Sequence, residues 1–174
     1  MFDPTVFDNL KVVIEGAFYD LDLEGEYTVY DRHDIIDLAT MKRAYEISLR
    51  NNNHHNKLYG VTFQLYMDIS NLSAELLNIE GTNPGCAVKI TFSLQVTNIN
   101  KCSQIKMIMA EIWGTDRQIE QVISFHYPEQ PNTTYHVDVN ISFNRTITED
   151  QIDDIIEMIA YITKTLDRLN QSVE

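Results

Sequence analysis

The chain has 174 residues, enough for one well-filled core and too few for two domains of ordinary size. Its 44% apolar and 22% charged residues are a globular composition, far from the signature of disorder. Acidic residues outnumber basic ones by 26 to 13, so the field around the folded chain repels phosphate backbones and anionic lipid, and neither nucleic acid nor a membrane is an expected partner.

The start, from Met1, has no positively charged leader and no long apolar run, and no stretch approaches the roughly 20 apolar residues of a membrane span. Two cysteines, Cys86 and Cys102, are too few for a disulfide framework. These features together predict a cytoplasmic protein.

In chain order, the first forty residues admit two readings. Pro4 could open a helix at its first position, with Val6, Leu10, Val13, Ile14 and Ala17 on one side. Alternatively, Leu21 and Leu23 alternate with Asp20 and Asp22 and continue beyond Gly25 into Tyr27 and Val29, which predicts an acidic hairpin turning at Gly25. Asp20 to Asp31 also partly matches a calcium loop, with oxygen-bearing residues at positions one, three and five and Gly at six. Glu24 at position five, Asp31 instead of Glu at position twelve, and leucines at positions two and four argue against that match. Asp34 to Met41 reads as a short helix starting near an Asp cap.

Three segments alternate strictly and are read as strands with one buried face. Val61, Phe63, Leu65, Met67 and Ile69 share a face within Tyr59 to Ile69. Val88, Ile90, Phe92, Leu94 and Val96 do so within Ala87 to Thr97, and Tyr135, Val137, Val139, Ile141 and Phe143 within Thr134 to Asn144. Weaker strands are expected at Arg43 to Leu49 and Gln121 to Tyr127. Ile105 to Trp113 is read as a further strand, joined to Ala87–Thr97 by a turn at Asn98 to Lys101; that hairpin places Cys86 and Cys102 at opposite ends, too far apart for a disulfide. As a strand this segment is apolar on both faces, so Ile108, Ala110 and Ile112 would need a cover such as a helix, a second subunit or a ligand.

The last element is a helix. Thr148 and Gln151 form a capping box, and Ile152, Ile155, Ile156, Ile159, Ile162, Leu166 and Leu169 follow at helical spacing. Its acidic residues gather in the first half and Lys164 and Arg168 in the second, as the helix dipole favours.

The predicted fold is a single α+β domain over 1–174, an antiparallel sheet of six or seven strands packed against a long C-terminal helix. This element order resembles the helix-grip architecture of START-like and Bet v 1-like proteins, an analogy of order with no shared motif behind it. No GxSxG, Gly-rich phosphate loop or CxxC pair is present, so no catalytic residue and no cofactor are expected.

Three readings of function remain. The first is a non-enzymatic protein-interaction or assembly module that self-associates, with Ile108, Ala110 and Ile112 at its interface. The second is a domain for a small apolar ligand, with a pocket between sheet and helix lined by Phe63, Phe92, Met107, Val139 and Ile159. The third, well behind, is a metal-dependent hydrolase drawing on Asp31, His33, His54 or His55; adjacent histidines on a strand point to opposite faces and would need a loop to converge, so no metal site is expected.

Overall fold

A computed structural model describes residues 5–53 and 59–173. The chain runs α1 (Val6–Glu24), β1 (Tyr27–Asp37), β2 (Lys42–Asn51), β3 (Gly60–Met67), α2 (Ile69–Leu76), β4 (Ala87–Val96), α3 (Lys101–Trp113), β5 (Gln118–Ser124), β6 (Tyr135–Ser142) and, after a short 3-10 turn, α4 (Ile152–Ser172). It is an α+β fold with six antiparallel strands in the order β1-β2-β3-β4-β6-β5.

The N-terminal ambiguity resolves to a helix. Thr5 caps α1: its hydroxyl accepts from the Asp8 amide at 3.2 Å, and the Asp8 carboxylate accepts from the Thr5 amide at 3.4 Å, closing a capping box. Pro4 lies outside the described residues. Phe7, Leu10, Ile14 and Phe18 form the buried stripe. The hairpin expected around Gly25 is not formed, because Leu21 and Leu23 belong to the last turns of α1. Gly25 ends the helix instead, at φ 86°, a left-handed cap that glycine adopts without penalty.

The helix expected at Asp34–Met41 is also corrected. Asp34 to Asp37 finish β1, and Leu38 to Met41 turn the chain into β2. The capping aspartate is Asp37, whose carboxylate accepts from the Ala39 amide at 2.9 Å and the Thr40 hydroxyl at 2.7 Å; this Asx-type turn closes a β-hairpin instead of opening a helix.

The largest correction is α3. Ile105 to Trp113 is a helix, so β4 pairs with β3 and β6 and forms no hairpin with the segment that follows it. The two apolar faces of the strand reading become one helical stripe: Ile105, Ile108, Met109 and Trp113 are buried and Ile112 packs beside them, at positions i, i+3, i+4, i+7 and i+8. Met107, placed by the strand reading beside Met109, is 72% exposed. Cys86, just before β4, is buried and Cys102, in the first turn of α3, is half-buried, and both are free; the hairpin that would have set their separation is not formed.

A further departure is α2, in a segment read as strand through Ile69: Asp68 stops β3 and caps the helix, accepting from the Asn71 amide at 2.9 Å. The N-terminal helix and α3 set the element order apart from the helix-grip analogy.

One face of the sheet carries α1, α3 and α4, and the alternating sets of β2, β3, β4 and β6 join the helix stripes in a single core. Trp113 is its knot at the α3 end. Its ring meets Phe92, Phe143 and Tyr161 at 5.5–6.4 Å, and its indole N–H donates to the buried Thr165 hydroxyl at 2.9 Å. The opposite face is a polar ladder, with cross-strand bonds from Ser48 to Thr62, Thr91 to Asn140 and Ser93 to Asp138 at 2.6–2.8 Å.

Candidate interaction surface

The expected site residues disperse. Phe63, Phe92, Val139 and Ile159 are packed in the core, while Met107 stands on the outer side of α3. Ile108 is buried; Ala110 and Ile112 are half-buried on α3 and line surface clefts. His33 pairs with Asp31 at 3.0 Å on exposed β1, and His136 with Asp138 at 3.1 Å on the polar face. His54 and His55 lie outside the described residues. Asp20 and Asp22 of the calcium-like segment sit on α1, and the Asp22 carboxylate accepts from the Val29 amide at 2.7 Å. Among the described residues no group of three His, Cys, Asp or Glu is placed to hold a metal ion.

Burial pushes the Cys86 thiol up to about 12 and raises Cys102 as well, so neither is poised as a thiolate. Among the described residues no helix is long and apolar enough to cross a membrane.

What the fold does bring together lies along α3 and the outer strand β5. A groove of about 400 Å³ runs between them, lined by Lys106 and Ala110 of α3, Thr115 and Arg117 of the connection, and Ile119 and Gln121 of β5. The Gln121 amide donates to the Cys102 carbonyl at 3.0 Å, tying β5 to the first turn of α3 and leaving its Oε1 a buried acceptor with no partner. Ala110 keeps the α3 wall low because its side chain is a single methyl.

Across Arg117 a second cleft of about 460 Å³ is walled by Trp113, Phe143, Tyr161, Arg145 and Glu157. The Arg117 guanidinium stacks over Phe143 at 5.2 Å, Arg145 pairs with Asp154 at 2.8 Å, and Tyr161 donates to Glu157 at 3.0 Å, which raises the phenol above its usual range and keeps it a donor.

The sheet has two edges, and they are built differently. An open edge invites pairing with another chain unless charge, a bulge or a cover blunts it. β1 carries the consecutive charged or titratable residues Asp31, Arg32, His33 and Asp34, and its register with β2 slips between Val29 and Asp31. Ion pairs from Arg32 to Glu15 at 2.6 Å and Lys11 to Asp34 at 2.5 Å lash it to α1. β5 has none of these. Its register with β6 is unbroken from Gln118 to Ser124, Glu120 is its one charged residue, and Val122 is 46% exposed. Ile119, Gln121 and Ile123 face the helices only half-buried, since α3 does not roof the strand completely.

Sequence reading placed this strand three residues late, at Gln121–Tyr127, and so missed Arg117, Ile119 and Glu120. The available signal was the alternation of Ile119, Gln121 and Ile123 against Gln118, Glu120 and Val122. No family model, curated protein or solved structure matches the chain.

Proposed function

We propose that the protein is a non-enzymatic interaction module that takes on an extended polypeptide segment by strand addition at β5. The observation that carries this reading is the undefended edge: seven residues in unbroken register, one charge among them, beside a groove of about 400 Å³. In strand addition the backbone of the edge supplies hydrogen bonds, and pockets for alternate side chains supply selectivity. Here the free side of β5 offers the backbone groups, and the groove between Lys106, Ala110 and Ile119 would receive every second side chain of the incoming segment.

The test is selection of a displayed random-peptide library on the immobilised protein, repeated with Ala110→Arg. Arginine is a good helix former, and at this position it fills the groove from the α3 side without entering the core. Peptides enriched on the parent chain and lost on the variant are the expected result; equal capture by both, or no enrichment by a parent chain that is monomeric, overturns the reading.

A further inference from the structure

We propose that the segment β5 receives is β5 of a second copy of this chain, joining two six-stranded sheets into one antiparallel sheet of twelve strands. This rests on the strand-addition reading and adds the identity of the partner. Pairing about a two-fold axis is isologous, so the strand must be complementary to itself.

Centred on Gln121, the antiparallel register sets Ile119 opposite Ile123, Glu120 opposite Val122 and Gln118 opposite Ser124, with Gln121 facing its own copy. Opposed residues then share a face, so both helix layers lie on the same side of the joined sheet. On that side Ile119 and Ile123, which α3 leaves half-buried, cover one another twice over. On the other side the single charge of the strand meets exposed Val122 instead of itself. Shifting the centre by one residue to Glu120 would place Glu120 against Glu120, a like-charge pair that costs stability.

Within β5 this register therefore buries apolar surface against its own copy and keeps like charges apart, despite the overall acidity of the chain. The β1 edge cannot pair in this way, because its slipped register and its ties to α1 interrupt it.

Sedimentation velocity across the micromolar range, on the parent chain and on Val122→Glu, Val122→Lys and Glu120→Lys/Val122→Glu, tests both the dimer and its register. Positions 120 and 122 point away from the helices, so these variants leave the core intact. The parent chain should dimerise. Val122→Glu should weaken the dimer by roughly tenfold, since the two-fold axis doubles each Glu–Glu clash. Val122→Lys should hold it as well as or better than the parent, and the double variant should recover what Val122→Glu loses. A monomer at every concentration overturns the proposal, as does equal weakening by Glu and Lys at position 122. If the parent is monomeric yet still enriches peptides that Ala110→Arg loses, self-pairing fails and strand addition stands; if neither occurs, both fall.

Discussion

Met107 and Met109 stand two residues apart, and the helical and extended forms of residues 105–113 assign them opposite fates. In a strand they share a face with Ile105 and Trp113, and truncating either would cost the same. In α3 they are separated by about 200° around the axis, and Met107 is 72% exposed whereas Met109 is fully buried. Met109→Ala leaves a void against the stripe of Ile105, Ile108 and Trp113 and should cost about 2–5 kcal/mol. Met107→Ala removes only solvated atoms and replaces Met with the best helix former, so its effect should stay within about 0.5 kcal/mol of zero. For a domain of this length each kcal/mol moves the thermal midpoint by roughly 2–4 °C, so Met109→Ala should melt about 4–20 °C lower. Urea denaturation followed by circular dichroism reads both variants, with the slope against denaturant checked for constancy. Equal losses at the two positions would refute the helix and restore the extended reading.

Two further predictions follow from local chemistry. Thr148→Ala should destabilise by about 0.5–2 kcal/mol, since it removes the Thr148 side-chain half of the capping box on the 3-10 turn that leads into α4 while leaving the bond from the residue-148 amide to Gln151 Oε1; an unchanged denaturation midpoint would mean the cap does not matter. Asp8 and Asp34 are each subject to burial, which raises a carboxyl, yet end below the ordinary range because hydrogen bonds and the Arg43 guanidinium outweigh it, with Thr5 helping at Asp8 and Lys11 at Asp34. Depressed carboxyls stabilise the fold above the unfolded value of about 3.9 and lose that contribution as pH falls through the folded value. Arg43→Met, which keeps an apolar stem against Phe7, should therefore be less stable than the parent at neutral pH, with the gap narrowing on acidification. Parallel stability curves for the two would show that Arg43 does not hold these carboxyls down.

The legible parts of the fold were those where one face is apolar and the other polar. β3, β4 and β6 each alternate without a break, and α4 sets Ile155, Ile159, Ile162, Leu166 and Leu169 inside against acidic residues outside. The sequence of α3 reads as a strand because its helical stripe alone, Ile105, Ile108, Met109, Ile112 and Trp113, occupies both parities, and Met107 and Ala110 off the stripe add further apolar positions that hide the i, i+3, i+4, i+7 spacing. Asp34 mimicked a helix cap because the aspartate that organises the turn, Asp37, is three residues further on and acts on Ala39 and Thr40. The candidate surface was less legible than the fold. The strand argument for Ala110 as an interface residue does not hold on a helix; the structure places Ala110 on α3, where it lines the groove.

Alternation reports which face of a strand is buried and carries no information about its neighbours. β5 becomes an edge through an event elsewhere in the chain: α3 carries the polypeptide beyond β4 by more than one strand width, and β6 then returns into the gap between β4 and β5. Neither strand's sequence states this order. In a central strand the scarcity of charge in Gln118–Ser124 would be ordinary, since both sides of the backbone would be paired. At an edge the same seven residues lack every device that β1 displays, the row of charges, the slipped register and the ion pairs to a neighbouring helix. Because both edges belong to one sheet in one acidic protein, composition and overall charge cannot account for the contrast between them. Strand addition at β5, as proposed, would account for it.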